Sequence, residues 1–294
     1  MEYLLHILII SGIYVILALS LNLIVGFTGL PAMGHAAFSC VGAYASALLA
    51  LNYGVSPWLG LLIGGLAGAA LGLITSYPAI RLSGDYLALA TFGAGIIVYS
   101  VAKNWVVLTR GPMGLPGIPG FSMFGLQLSQ IWQYLVIVLF FVVLTYIVIG
   151  KITKSPFGRV LMGIRGDEHF VSSLGKNVIK YKVLVFVADA FFAGIAGSLY
   201  AHYITFIDPS SFTLMESITI LLMVVFGGLG SLWGSVLGAA ILVILPELLR
   251  FVGMPSSVAA PLRQMLYGGL LVACMLWRPQ GLLGEYTFSK EDKK

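Results

Sequence analysis

Asp189 is the residue of this 294-residue sequence whose position most needs a chemical explanation, because it lies within the otherwise apolar run 185–192. A carboxylate inside a membrane is costly unless it is paired, protonated or hydrated. Asp189 could therefore belong to a proton relay or line a translocation path. The alternative is a position near the cytoplasmic interface, with a partner such as Lys182 one or two helical turns away. The sequence leaves both interpretations open.

Four histidines are scattered along the chain, at His6, His35, His169 and His202. None has a metal-ligand neighbour at a useful spacing, and the sequence contains no Walker A, HExxH or CxxC motif and no catalytic triad. We therefore expect no enzyme activity, no metal site and no cofactor. His35 lies in a glycine-rich stretch and is the histidine we would test for function. A hydrogen-bonded structural role is the alternative.

Basic side chains are concentrated in residues 151–182, called here the basic segment. It contains seven of the sixteen Lys and Arg residues, whereas residues 3–80, 111–150 and 217–246 contain no charged residue. The seven are Lys151, Lys154, Arg159, Arg165, Lys176, Lys180 and Lys182. Positive charge beside membrane spans marks the cytoplasmic side, so this pattern indicates membrane topology rather than nucleic-acid binding.

The pattern inside the basic segment predicts two short amphipathic helices that are separated near Gly166. Asp167 can cap the second helix, and Glu168 suits the positive end of its dipole. Gly175 suits its C-terminal cap. A short helix of this kind on the cytoplasmic face is a suitable docking site for a soluble subunit that drives movement of the spans.

The composition requires a membrane protein. The chain is 59% hydrophobic and 9% charged, whereas soluble domains contain about 25% charged residues. Continuous apolar stretches favour helices over a transmembrane barrel. We predict an all-α polytopic membrane protein with about nine spans, within a range of eight to ten. The candidate spans are 4–25, 37–52, 57–77, 87–103, 130–150, 182–203, 217–227, 233–250 and 264–277.

We expect one transmembrane domain over residues 1–285, followed by a cytoplasmic tail over 286–294. Alternation from a cytoplasmic loop at 151–181 places the N-terminus outside and the C-terminus inside. A Gly/Pro-rich loop at 104–129 then lies outside. Its prolines exclude a regular helix, and its length favours a functional role, in contact with a soluble partner or over a pore mouth. The residues of interest in it are Thr109, Arg110, Gly111 and Gly114.

Glycine is the second compositional signal, with 36 residues in the chain. Gly60, Gly64, Gly68 and Gly72 recur every four residues and would line one helix face with bare backbone. Such a face permits close helix packing, either within this chain or against a second membrane subunit.

Two glycine-rich stretches interrupt the apolar pattern: residues 26–35, called the first break, and residues 227–234, called the second break. Paired interruptions indicate internal repeats and a pathway near the membrane midplane, and ordinary loops are the alternative. The polar Asn22 precedes the first break and is typical of packing between helices or of pore lining. The candidates for a translocation path are Asn22, Gly26, Thr28, Gly29, His35, Thr91 and Asp189.

The sequence resembles the LivM-type permease subunits of bacterial branched-chain amino acid ABC importers. The similar stretches extend nearly from end to end, and together they are specific. They include LSLNL at 19–23, GHAAF at 34–38, DYLALAT at 85–91, FGR at 157–159, AGSLYA at 196–201 and RPQGL at 278–282.

This resemblance implies the ABC importer permease fold and a multi-pass position in the bacterial cytoplasmic (inner) membrane, in contact with lipid. It implies a second, LivH-like permease, two cytoplasmic ATPases, an external substrate-binding protein and an amino acid substrate. The basic segment then corresponds to the coupling helix, although Phe170 and Val171 replace the usual alanines. The residues implied in coupling to the ATPases are Arg159, Arg165, Asp167, Glu168 and Gly175.

Three alternatives remain from the sequence. A urea or short-chain amide permease of the same family is the nearest, because one sequence does not rank pore-lining residues. A proton-coupled secondary transporter would require an essential Asp189 and no ATPase. A membrane enzyme would require clustered catalytic groups, which the sequence lacks.

Overall fold

The computed structural model describes residues 2–82, 84–123, 126–127, 130–250, 265–270, 272, 276 and 280–284. Most of this part of the chain is helical. The α-helices are α1 (Glu2–Asn22), α2 (His35–Tyr53), α3 (Pro57–Ala79), α4 (Asp85–Asn104), α5 (Val106–Thr109), α6 (Ile131–Lys154), α7 (Pro156–Gly166), α8 (Glu168–Ser173), α9 (Val178–Ile204), α10 (Leu214–Gly227) and α11 (Leu232–Arg250).

The remaining elements are short. A π-helix, Leu23–Phe27, continues α1 directly, and 3-10 helices occupy Gly111–Met113 and Pro209–Phe212. Strands β1 (Leu115–Pro116) and β4 (Phe206–Ile207) form one antiparallel pair. Strands β2 (Ser122–Met123) and β3 (Leu126–Gln127) form another.

The helices confirm the predicted all-α polytopic class. Within the described residues, six helices are long and apolar enough to span a membrane: α1 with its π-helix, α2, α3, α4, α6 and α9. The apolar helices α10 and α11 are shorter. The candidate span 264–277 lies largely outside the described residues, and so does the tail 286–294.

Two layers of helices pack around a main apolar core, and a second, smaller cluster lies next to the Gly/Pro-rich loop. In the first layer α2, α3 and α9 pack against one another, and in the second α1 packs against α6, α10 and α11. The apolar stretch of α1 is 83% buried, against 17% for α4 and for α6. Helix α1 is therefore central, whereas α4 and α6 lie at the edge and present apolar side chains outward.

Glycine backbone makes the close packing of the first layer possible. A Cβ atom at Gly42 would collide with the backbone of Gly194, and one at Gly68 with the carbonyl of Ala190. The Ser198 hydroxyl crosses the same interface and donates to the Gly42 carbonyl at 3.1 Å. Gly64 faces these two residues. The four-residue glycine stripe of α3 therefore packs within the chain, against α2 and α9.

Contacts along α1 give the bundle two distinct ends. Tyr3, near the start of α1, hydrogen-bonds Glu247 near the end of α11, and Asn22 at the end of α1 bonds Ser231 just before α11, so α11 runs antiparallel to α1. Tyr14, in the middle of α1, hydrogen-bonds Glu216 in the first turn of α10. The far end of α1 meets Arg165 of the basic segment. We call this end the basic end, and the end with the Gly/Pro-rich loop the opposite end.

Replacing Gly68 with alanine tests the packing of α3 on α9. The added methyl group meets the backbone of Ala190 and Gly194, which cannot move independently, so we expect destabilisation by about 1–3 kcal/mol. Gly93→Ala on α4 is the control, because no atom lies within 4 Å of a Cβ there and alanine favours a helix by about 0.5–1 kcal/mol. SDS titration in micelles measures both free energies of unfolding. Equal effects of the two substitutions would contradict the packing.

Candidate functional site

The two breaks meet inside the bundle, and Asn22 joins them. Its side-chain Nδ2 donates to the Ser231 carbonyl at 2.9 Å, while its Oδ1 accepts from the Gly230 amide at 3.0 Å. Both bonds go to backbone of the second break, and Asn22 is fully buried. Lipid provides no partner for these backbone groups, so a side-chain amide with one donor and one acceptor function is well suited to this position.

Gly26 is a glycine for a steric reason. A Cβ atom at this position would collide with the Asn22 amide and would lie 2.5 Å from the Gly230 nitrogen. It belongs to the π-helix Leu23–Phe27, and such wider turns often occur at functional sites. The Gly26 carbonyl accepts a hydrogen bond from Nη1 of the Arg165 side chain.

Arg165 therefore connects the basic segment to both breaks. It lies in the last turn of α7, and its guanidinium reaches Gly26 in the first break. A Cβ atom at Gly29 would lie 2.7 Å from the Arg165 Cγ, and one at Gly230 would lie 3.4 Å from its Nη1. The side chain is half-buried in this position. We call the cluster of Asn22, Gly26, Gly29, Arg165, Gly230 and Ser231 the glycine junction.

The chain near its C-terminus completes the basic end of α10. The amides of Leu282 and Leu283 donate to the carbonyls of Phe226 and Gly227 at 2.9 and 3.0 Å. These carbonyls lie in the last turn of α10, where the helix itself provides no amide donors for them. Gly228 has φ of 119° and packs against Gly284. Residues 280–284 thus hold the second break in place.

Asp189 is paired with His35, at the start of α2. The His35 Nδ1 and Asp189 Oδ2 atoms are 3.2 Å apart, and both side chains are completely buried. The Ser20 hydroxyl lies 3.4 Å from the other ring nitrogen. Lys182, which one of the two interpretations gave Asp189 as a partner, pairs with Glu168 at 2.5 Å instead. Asp189 is fully buried in the middle of α9, and its partner His35 comes from α2.

The other candidates for the translocation path are also mostly internal. Thr28 is buried and donates to the Leu23 carbonyl at 2.9 Å. Thr91 is buried and accepts from the Met33 amide at 3.1 Å, which fixes the first break against α4. Gly29 is exposed. In the conformation described, these side chains stabilise the breaks, and a role in translocation stays a prediction.

The two helices of the basic segment form as the sequence predicts. The Asp167 carboxylate caps α8 by accepting from the amides of His169 and Phe170 at 2.8 and 3.1 Å. Gly175 follows the helix with φ of 74°, a left-handed conformation that favours glycine. Glu168 ties α8 to α9 through Lys182. The outer surface of this pair is apolar as well as charged, since Phe170 is 61% exposed.

The Gly/Pro-rich loop is docked onto the opposite end. The buried Thr109 hydroxyl donates to the Ala102 carbonyl at 2.6 Å and accepts from the Gly111 amide at 3.1 Å. Arg110, Gly111 and Gly114 all have positive φ, so the chain turns sharply here. β1 then pairs with β4, which binds the loop to the end of α9.

His202 is the residue of this region that sequence reasoning missed. Its Nδ1 lies 2.7 Å from the Pro119 carbonyl, which can only accept, so this nitrogen carries a proton. The neutral ring then accepts at Nε2 from the Ser46 hydroxyl at 2.6 Å. The available signal was spacing, because Gly194, Ser198 and His202 recur every four residues and lie on one face of α9.

Sequence comparison gives the family. The profile described as "Branched-chain amino acid transport system / permease component" matches residues 3–275. The chain belongs to this family. No solved structure matches the chain significantly.

Named members of this permease family match the chain over most of its length. The LivM permease protein of Salmonella typhimurium is 39% identical over 92% of this chain and 68% of its own. The LivM protein of Escherichia coli K12 is 39% identical over 93% and 68%. The LivH protein of Escherichia coli K12 is 25% identical over 96% and 94%. The chain is thus more similar to these LivM permeases than to the LivH permease.

The buried His35–Asp189 pair can be tested with a double-mutant cycle. Removing one partner leaves the other buried without its hydrogen-bond partner, so His35→Ala and Asp189→Ala should each cost about 1–3 kcal/mol of unfolding free energy. The double variant should cost less than the two together by at least about 1 kcal/mol. His169→Ala serves as the control, since His169 is exposed. Additive effects of the two alanines would show that the pair is not coupled.

Proposed function

We propose that this chain is the membrane-spanning permease subunit of an ATP-driven ABC importer for branched-chain and other hydrophobic amino acids. The observation that carries the proposal is the 39% identity to two LivM permease proteins over more than nine-tenths of the chain. The helical bundle, with six helices long and apolar enough to span a membrane among the described residues, is consistent with such a subunit.

The proposal includes a second permease similar to LivH, with which the chain would form the translocation path. Here α4 and α6 are 17% buried and point apolar side chains outward. These include Leu89 and Ile97 on α4, and Val136 and Phe140 on α6. Such faces can contact either lipid or a neighbouring membrane subunit.

Two cytoplasmic ATPases would supply the energy, one of them docking on α8 of this chain. Phe170 on α8 and Leu174 just after it are 61% and 62% exposed, and exposed apolar groups next to charged ones are typical of an interface. Arg159 is exposed on α7. The Glu168–Lys182 ion pair would pass movement of α8 to α9, because Lys182 is only 3% exposed and therefore fixed.

The orientation follows from the charge pattern. The basic end would face the cytoplasm, and the docked Gly/Pro-rich loop would face the external binding protein, in a bacterial inner membrane. A docked loop with fixed turns offers a preformed surface, which lowers the entropy cost of binding. Arg110 is exposed on this surface and is available to a soluble partner.

Reconstitution tests the function. The chain is purified with its cognate second permease and ATPases, placed in liposomes and supplied with the binding protein. We expect ATP-dependent uptake of leucine, isoleucine or valine, with ATP hydrolysis stimulated by the loaded binding protein. If the importer takes up urea or a short amide in preference to these amino acids, the chain belongs to the alternative substrate class. Uptake driven by a proton gradient without ATPases would refute the ABC proposal.

The same preparation tests the docking helix. Phe170→Asp puts a charge into the proposed ATPase interface, so co-purification of the ATPases should fall by about tenfold or more. Tyr53→Asp is the matched control, because Tyr53 is 78% exposed at the opposite end. ATPase recovery that is equal for the two variants would place the docking site elsewhere.

A further inference from the structure

Arg165 occupies an unusual position among the basic residues of this region. A basic residue that serves only to set the membrane topology is expected to be exposed to water, as Lys151, Lys154 and Arg159 are. Arg165 is instead half-buried, and its guanidinium donates to the Gly26 carbonyl. Arg159 lies six residues earlier, on a different side of α7. The two arginines therefore do different things, and Arg165 points toward the spans rather than toward a soluble partner.

The contacts of Arg165 are with backbone that is not held by a regular helix. The first break leaves α1 through a π-helix, and the second break turns between α10 and α11. Arg165 bonds the carbonyl of Gly26, its aliphatic stem packs on Gly29, and its guanidinium lies next to Gly230. A planar guanidinium has five donors in a fixed arrangement, so it can hold several backbone groups in one geometry.

The other connections of the glycine junction make this contact mechanically significant. Asn22 fixes α1 to the second break through two hydrogen bonds. A displacement of Arg165 therefore acts on both breaks together and not on one loop alone. On the other side, α7 is followed after Asp167 by α8, the proposed ATPase-docking helix. Arg165 thus lies three residues before Glu168, the first residue of α8, and in direct contact with the spans.

We propose that Arg165 is a positioning residue that transmits movement of the docked basic segment to the two breaks. This inference rests on the proposed function, since it assigns the route by which ATP-driven movement reaches the spans. It predicts that loss of Arg165 separates ATP hydrolysis from transport. Docking itself would remain, because the exposed face of α8 is unchanged.

The test uses the complete reconstituted importer with Arg165→Gln. Four quantities are measured: ATPase co-purification, ATP hydrolysis, substrate uptake and the melting temperature of the complex. We expect co-purification, hydrolysis and melting temperature close to the parent values, and uptake per ATP hydrolysed lower by about tenfold. Lys151→Gln is the control, because it removes one exposed positive charge from the same end of the bundle.

Each outcome decides the inference. Unchanged uptake per ATP in Arg165→Gln would overturn it, and so would a parallel fall of uptake, hydrolysis and melting temperature, which would assign a purely structural role. If Arg165→Gln does not assemble, Arg165→Lys decides. That variant keeps the positive charge but loses the planar guanidinium with its five donors. Partial uncoupling at a normal melting temperature then supports the inference, and coupling equal to that of the parent overturns it. The parent importer reports separately on the proposed function, because it must import an amino acid before any variant is compared.

Discussion

Backbone amides and carbonyls that leave a helix inside a membrane must find partners within the protein, since lipid offers none. Both breaks contain such backbone groups, and the glycine junction and the adjoining residues 280–284 supply hydrogen-bond partners to them in one region of the bundle. Asn22 supplies one donor and one acceptor to the second break, Arg165 donates to the first, and residues 280–284 cover the end of α10. Because one cluster serves both breaks, they are linked structurally to each other and to the basic segment.

Close packing around α9 depends on glycines, which have no side chain. Glycine at positions such as Gly42, Gly68 and Gly194 lets backbones touch, so polar groups can cross between helices at short range. The His35–Asp189 pair and the Ser46–His202 bond both occur at the α2–α9 contact. The first pair includes His35 of the first break, and the second lies next to the Gly/Pro-rich loop, so a single helix interface positions both regions.

The sequence was informative where local chemistry decides the structure. Long apolar runs predict helices, and eight of the predicted spans coincide with helices, although α10 and α11 are shorter than a full span. The caps of α8 follow from Asp167 and Gly175 alone. Contacts between distant segments were not predictable in this way. The partner of Asp189 is 154 residues away in sequence, on a different helix. Arg165 was grouped with the ATPase-coupling residues through the family resemblance and its place in the basic segment, whereas its contact with Gly26 depends on the tertiary fold.

The central claim is that the basic segment and the two breaks move as one body. Spin labels at Met162→Cys on α7 and Trp233→Cys on α11, both exposed positions, measure this directly by pulsed electron resonance after Cys40 and Cys274 are replaced by alanine. A second pair, Met162→Cys with Tyr53→Cys, spans the two ends of the bundle. Between nucleotide-free and ATP-bound importer, the account predicts a constant Met162–Trp233 distance and a changed Met162–Tyr53 distance. A Met162–Trp233 distance that changes as much as the second would contradict it.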